Sequence, residues 1–353
     1  MYELDAALDT AAARRWLARH GVEFGSAAAF ELIEGGRSNL TYRFTDASGR
    51  QLVLRRPPLS GALPSAHDMD REVRLLTALA GSAVPVPRVL ANCRDVEVIG
   101  APFYVMEFVD GIVVRTRHDA ERLLSTTARA RVAGELAAVL AGLHAVDPGE
   151  LGLADIGPGV GFVPRQLRRW LRQWELGSGH RDDLLDDSAV RSLHAELVRR
   201  VPAQERTSLI HGDYRLDNLV VGADGSVRAV LDWELSTLGD PFADVGLMLA
   251  YWTDHPDEVA AMESAPSSAP GFPSRSELRS LYIQASGDDV RDIAFYLAFA
   301  FWRNAVLLSN VYARYLGGAY GEIDQSVRTL PERAAGCLRL ADSALDGSLL
   351  SDT

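Results

Sequence analysis

The chain of 353 residues contains no lysine at all: every one of its 36 basic residues is arginine. A guanidinium stays protonated and forms no imine, so lysine-linked pyridoxal phosphate chemistry and Schiff-base aldol chemistry are excluded. The phosphate loop that ends in Gly-Lys-Ser/Thr is excluded with them. Replacement of Lys codons by Arg codons in a GC-rich genome accounts for the bias without invoking function. Cysteine is nearly absent too. Cys93 and Cys337 stand alone, with no C-x-x-C and no His-Cys cluster, which leaves neither a disulfide framework nor a structural zinc site. Long apolar runs are also missing. The longest, Ile293 to Trp302, falls far short of the roughly 18 residues a membrane-spanning helix needs. The segment Met1 to Asp9 is acidic and has no apolar core, so no secretory signal is read there and a cytoplasmic location is expected. The 48 acidic residues outnumber the basic ones and leave a net charge of -12, which opposes binding to nucleic acid or to an anionic membrane. A small-molecule partner is expected instead.

What is present is 47% apolar and 24% charged, the composition of a globular chain long enough for about two domains. An amphipathic helix carrying Ala7, Leu8, Ala11, Ala12, Trp16 and Leu17 is predicted to end at Gly21. Three strands, Phe30 to Ile33, Leu40 to Phe44 and Gln51 to Leu54, are separated by Glu34-Gly35-Gly36 and by Asp46-Ala47-Ser48-Gly49, the punctuation of an antiparallel meander. A helix over 67–80 and strands at Val89-Leu90 and Phe103 to Val109 follow. Beyond residue 110 the periodicity is helical, over 128–146, 162–176, 187–201, 242–252, 276–285, 290–316 and 326–346. The Ser/Pro-rich stretch Glu263 to Arg275 has no periodicity and is expected to form a mobile loop or lid. The fold class expected is α+β and bilobal. Residues 1–108 would form a small lobe with the N-terminal helix, the antiparallel sheet and a phosphate loop, and 109–353 a mostly helical large lobe with the catalytic loop and metal site.

The most informative run is His211-Gly212-Asp213-Tyr214-Arg215-Leu216-Asp217-Asn218, followed by a hairpin and Asp232-Trp233-Glu234. A turn centred on Asp224-Gly225 would set Asn218 opposite Leu231 and beside Asp232. Asp213 can reach the same point from the other side. An amide oxygen and one or two carboxylates are hard ligands that suit Mg²⁺ held together with substrate phosphates, and an acid left off the metal could accept a hydroxyl proton. Asp and Asn also bracket many hairpins for turn chemistry alone. The spacing is more specific than that, because Asp213, Asn218 and Asp232 repeat the kinase pattern H-x-D-x-x-x-x-N followed, after a short hairpin, by a metal-binding Asp.

Through these residues the chain resembles the aminoglycoside and choline phosphotransferase family, small-molecule kinases of protein-kinase-like fold, from about Phe30 to Leu340. Within that family it resembles the subgroup whose animal members are kinase domains fused to acyl-CoA dehydrogenases. Gly35-Gly36-Arg37-Ser38-Asn39, Ala66-His67-Asp68, Arg71-Glu72, Pro85-Val86-Pro87, the run Gly100 to Phe108, and Gly239-Asp240-Pro241 carry that likeness. The resemblance implies that Asp213 is the catalytic base, that Asn218 and Asp232 bind Mg²⁺, and that His211 braces the loop. Glu234 would be a second metal contact, or else a solvated carboxylate. Gly35, Gly36, Arg37, Ser38 and Asn39 would cover the phosphates of ATP, and the strand ending in Glu107 and Phe108 would read adenine.

The family's small-lobe cation is usually Lys, and here the strand Gln51 to Leu54 runs into Arg55-Arg56. Strand alternation puts only one of the two in the cleft. Arg55 would bind phosphate oxygens and Glu72 would hold it there. Asp240-Pro241 reads as a helix cap, Asp244 as a brace of the catalytic loop, and His144 and His194 as ordinary helix residues. The function implied is an ATP- and Mg²⁺-dependent kinase for a small-molecule hydroxyl, either of a hydroxyacyl compound, free or as its coenzyme A thioester, or of an aminoglycoside or amino alcohol. A nucleotide-binding pseudokinase is the reading of another class, opposed by the intact Asp213, Asn218 and Asp232.

Overall fold

The computed structural model describes residues 8–22, 29–33, 39–46, 48–58, 69–177, 185–254, 258, 261–262, 265–318 and 323–350. Gly35, Gly36, Arg37 and Ser38 of the expected phosphate turn lie outside the described residues, as does Ala66-His67-Asp68. The chain forms two compact units. One comprises residues 2–110 together with 228–234, the other residues 111–227 together with 235–353.

The first unit is built on a five-stranded antiparallel sheet. Its strands are β1 (Ala29–Leu32), β2 (Leu40–Thr45), β3 (Gln51–Arg56), β4 (Val89–Cys93) and β5 (Phe103–Glu107), in the spatial order β1-β2-β3-β5-β4. Alternation along β3 decides what each face does. Leu52 and Leu54 point into a core made with Phe44, Phe103, Val105 and the apolar stripe Ala13, Trp16 and Leu17 of helix α1 (Thr10–Arg19). Asp9 caps that helix by accepting the Ala12 N–H at 2.8 Å. Val53 and Arg55 occupy the opposite face, with helix α2 (Met69–Leu79), whose Glu72 meets Arg55.

The second unit is helical. Its main helices are α3 (Arg117–Leu123), α4 (Thr126–Ala145), α5 (Phe162–Leu176), α6 (Asp187–Arg199), α7 (Pro241–Ala250), α8 (Arg275–Ser286), α9 (Ile293–Leu316) and α10 (Leu330–Leu345). The stops are those the residue types call for. Asp240 accepts the Phe242 N–H at 3.1 Å with Pro241 in the first turn of α7, and Gly287 closes α8 in the left-handed conformation. The single helix expected over 326–346 is divided, with a short turn at Gln325–Arg328 before α10. Pro331 enters at the second position of the new helix, where its missing N–H costs nothing.

Short strands punctuate these helices. β6 (Ser208–Ile210) leads into the catalytic-type loop, β7 (Leu219–Val221) and β8 (Val227–Val230) make the expected hairpin, and β9 (Thr237–Gly239) pairs with β6. The hairpin turn runs one residue out of the expected register. Gly222 donates to the Ser226 carbonyl at 2.8 Å, and the Gly225 N–H closes back on Gly222 at 2.9 Å. The β6/β9 pair was not foreseen, because three residues carry too little alternation to be seen as a strand.

The expected lid is corrected. Over 265–275 the chain is packed: Ala265, Pro266, Ser267 and Ala269 are buried, and Ser267 Oγ accepts the Thr253 N–H at 2.9 Å. Arg275 is buried with its guanidinium on Glu258 at 2.8 and 3.0 Å and on the carbonyls of Leu249 and Trp252 at 2.9 and 2.7 Å. Prolines remove periodicity without removing packing, so the absence of a helical pattern did not mean absence of a fixed structure.

Candidate active site

In the sheet unit the site is assembled around Arg55. Its Nη2 lies 2.6 Å from Asp232 Oδ1 and 3.8 Å from Glu234, and its Nε lies 3.3 Å from Glu72. Glu72 is 3% exposed, so this is a nearly dry carboxylate, and it also takes a hydrogen bond from the Tyr104 hydroxyl and one from the Trp233 backbone. Burial pushes the Glu72 carboxyl up against the pull of Arg55. Burial also works against the charge of Arg55, but Glu72, Tyr104 and Asp232 outweigh it and hold the guanidinium charged. Asn39 is buried and its amide donates to Glu234 at 3.4 Å.

The pleat sends the two arginines of β3 to opposite faces. Arg56 is fully buried on the Leu52/Leu54 side, donating to the Pro57 carbonyl at 3.1 Å and lying 5.8 Å from the Tyr42 ring. Asp232 itself has φ of 64°, in the left-handed region that non-glycine residues rarely occupy. Strained backbone of this kind clusters at functional sites. Glu107 and Phe108 are not brought to this group. Glu107 pairs with Leu52, at the other end of the β3–β5 ladder from Arg55, which pairs with Tyr104. The Glu107 N–H is given to the Arg88 carbonyl at 3.0 Å, and its carboxylate binds the exposed Arg88 side chain.

In the helical unit the loop after β6 is pinned from beneath. The buried Asp244 on α7 accepts the N–H of His211 at 2.5 Å and of Gly212 at 2.8 Å. Burial works against its charge, yet the contacts of His144, His211 and the Gly212 N–H hold the carboxyl below the usual carboxylate range. Behind it, His144 of α4 lies 3.6 Å from Asp244 and 2.8 Å from the Tyr282 hydroxyl on α8. Gly212 has φ of 81°, and a Cβ there would come within 2.8 Å of the Leu235 carbonyl. His211 is buried, and its Nδ1 accepts the Asp213 N–H at 3.2 Å, which makes it a brace.

Above this base Asn218, at the end of the short turn Leu216–Asn218, gives its amide nitrogen to Asp213, at 2.8 Å to the carbonyl and 3.0 Å to Oδ2. The amide oxygen is thereby left as the acceptor of that side chain. Arg215 lies 3.4 Å from Asp213 and 3.1 Å from Asp217, with its guanidinium 4.8 Å from the Tyr251 ring. Burial raises the Asp217 carboxyl despite Arg215. Arg215, Asp217, Tyr251 and Tyr104 are polar groups of the two clusters that sequence reasoning missed. Arg215 and Asp217 lay inside the motif itself, two and four residues past Asp213, and that spacing was the available signal; Tyr104 and Tyr251 carried none.

Among the described residues no group of three or more His, Cys, Asp or Glu is arranged to hold a metal ion unaided. The donors present, an amide oxygen and separate carboxylates, fit a hard divalent cation that takes part of its shell from phosphates. Among the described residues no helix is long and apolar enough to cross a membrane.

Comparison with known proteins points the same way. The phosphotransferase enzyme family matches over residues 29–278. Acyl-CoA dehydrogenase family member 10 of Mus musculus is 38% identical over 290 residues, which is 81% of this chain and 26% of that protein. Acyl-CoA dehydrogenase family member 11 of Homo sapiens is 33% identical over 309 residues, 86% of this chain and 38% of that protein. The chain therefore spans a quarter to two-fifths of these relatives. A crystal structure from Ralstonia eutropha JMP134, described provisionally as an aminoglycoside phosphotransferase, superposes with a TM-score of 0.80 at 32% identity, covering 96% of this chain and 99% of that one. The aminoglycoside phosphotransferase APH(4)-Ia, in ternary complex with AMP-PNP and hygromycin B, shares the fold at a TM-score of 0.58 and 17% identity, over 93% of this chain and 98% of its own.

Proposed function

Because the chain belongs to the phosphotransferase enzyme family, we propose that it is an ATP- and Mg²⁺-dependent kinase for a hydroxyl of a small hydroxyacyl compound, free or as its coenzyme A thioester. The observation that carries the reading is the Asn218–Asp213 arrangement. Asn218 spends its amide nitrogen on Asp213 and keeps its oxygen, while the braced loop presents the Asp213 carboxylate, 19% exposed, to an incoming group.

Asp213 accepts and orients the proton of the acceptor hydroxyl, which readies its oxygen for in-line attack. Arg55, kept charged by Glu72, binds phosphate oxygens of ATP, and a guanidinium does so with two parallel donors where an ammonium gives a point charge. Gly35, Gly36, Arg37 and Ser38, which lie outside the described residues, would cover the phosphates with Asn39, and Glu107-Phe108 would border the adenine. Asn218 and Asp232 would hold Mg²⁺, and Glu234 would be a second acidic contact. The metal supplies neutralisation of phosphate charge when bound. Catalysis then comes mainly from positioning and electrostatics.

The acyl-CoA dehydrogenase names of the relatives support the hydroxyacyl acceptor. The alternative acceptor is an aminoglycoside or amino alcohol. It follows from APH(4)-Ia with hygromycin B, and from a Plasmodium vivax ethanolamine kinase of the same fold at a TM-score of 0.62 and 16% identity. A pseudokinase reading is opposed by the intact Asp213, Asn218 and Asp232. The test is a screen of hydroxyacyl-CoA thioesters, hydroxy acids, amino alcohols and aminoglycosides with ATP and Mg²⁺, with phosphorylated product read by mass. Products from the hydroxyacyl arm are expected; a product only from the cationic arms selects the alternative. No product from any arm, with ATP still bound, leaves the pseudokinase.

A further inference from the structure

We propose that Arg169 and Arg303, held against Trp170 beside the catalytic loop, form an anion-binding subsite that recognises a carboxylate or phosphate group of the acceptor. All of these residues belong to the helical unit. Arg169 and Trp170 lie on α5 and Arg303 on α9, and the two guanidinium carbons stand 5.9 and 5.4 Å from the centre of the Trp170 ring. Arg303 is anchored by donating to the Gly212 carbonyl at 3.1 Å, one residue before Asp213. Neither arginine has a carboxylate partner among the described residues.

What sets the pair apart is that two such arginines share one aromatic ring beside the loop that carries Asp213. The chain is acidic overall, and some arginines of this unit do find acids, as Arg191 does in Asp187 and Glu175 and Arg215 in Asp213 and Asp217. Two like charges sharing one aromatic ring repel, and the cost is relieved when an anion sits between them. Crowding by surrounding atoms lowers the Arg169 pKa, and the neighbouring Arg303 charge adds to that shift, consistent with the two guanidiniums acting on each other. Burial pushes the Tyr251 phenol up, and the charges of Arg215, Asp213, Arg303 and Asp217 act on it in smaller part.

A planar guanidinium fork matches the paired oxygens of a carboxylate or phosphate. Arg169 is exposed and Arg303 half-buried, so the pair is open to a ligand from solvent. The acceptor then binds by two ends, its hydroxyl on Asp213 and its acidic group on the arginines. A polycationic aminoglycoside would meet the wrong sign of charge here. This inference rests on Asp213 being the end of the site that takes the hydroxyl, and it deepens that reading by naming the charge of the acceptor.

Calorimetric titration tests it without turnover, on the full chain with AMP-PNP and Mg²⁺ present. The probes are 3-hydroxybutyrate, which offers a carboxylate, 3-hydroxybutyryl-CoA, which offers phosphates, the neutral ethyl ester of 3-hydroxybutyrate, and choline. One or both anionic probes are expected to bind, and which of them binds identifies the source of the charge. Arg169→Glu and Arg169→Ala are each expected to weaken that binding at least about tenfold, the scale of one lost charge-assisted hydrogen bond. AMP-PNP affinity and the thermal midpoint should be unmoved, because Arg169 is an exposed residue on α5. Arg303→Gln, which keeps a donor for the Gly212 carbonyl, should weaken the same probe. The inference is overturned if neither anion binds, if anion binding is indifferent to the Arg169 variants, or if choline binds in preference. Absence of phosphorylated product with every acceptor would instead sink the kinase assignment while the titrations still judge the arginine pair.

Discussion

At the scale of single residues, the chemistry is set by which polar side chains are given partners and which are kept free. Asp213 receives the Asn218 amide and lies near Arg215, yet it keeps a solvent-facing edge. Asp213→Asn preserves its shape and cannot take a proton, so turnover should fall by at least about a hundredfold. ATP affinity, measured by titration of the same variant, should stay within about twofold; near-normal turnover would remove Asp213 from the role. Asp244 makes the opposite kind of prediction, about stability. Its carboxyl is held below its ordinary value, so its contribution is fully present above the unfolded value of about 3.9 and is lost as pH falls through the lower folded value. Asp244→Asn should therefore cost about 2–4 kcal/mol near pH 7, because one of the two N–H groups it accepts is left facing another donor. The gap between variant and wild type should begin to narrow below about pH 4 and go on narrowing as pH falls further. Urea unfolding at pH 7 and pH 3.5 checks both halves of this statement.

At the scale of elements, close approaches of backbone hold the catalytic-type loop and its hairpin in place. Gly225 sits in the hairpin turn at φ of 86°, and a Cβ there would fall 2.4 Å from the Ala128 carbonyl at the start of α4. Left-handed strain and overpacking both follow from adding that methyl group. Gly225→Ala should destabilise the chain by about 2–4 kcal/mol, seen as a lower urea midpoint, whereas alanine at Gly134 on α4, which would meet nothing within 4 Å, should not. Arg55 shows how the pleat of one strand assigns two identical residues to different tasks. Arg55 joins Glu72 and Asp232 on one face of β3, and Arg56 enters the core with Tyr42 on the other. Alternation alone said that only one could reach the site. Which one depended on α2 covering that face, which the β3 sequence does not encode.

At the scale of the whole molecule, the absence of lysine becomes a handle on the proposed phosphate site. Amine-directed acylating reagents should leave ATP binding unchanged, because no lysine exists for them to modify. Phenylglyoxal, which modifies guanidinium groups, should abolish it, and ATP should protect. Phenylglyoxal treatment without effect would take Arg55 out of the nucleotide site. Much of the rest was legible before any coordinates. The α+β class, the meander, the helical succession and the spacing of Asp213, Asn218 and Asp232 are local or periodic features, and short-range sterics and hydrophobic period write those into the chain directly. The out-of-register hairpin turn, the β6/β9 pair, the buried Arg275 clamp and the return of residues 228–234 to the sheet unit were decided only by tertiary structure. So was the pairing of Arg169 with Arg303, separated by more than a hundred positions along the chain. Each of these is a contact between segments distant in sequence, whose energy depends on burial and on partners that no local pattern of residues contains.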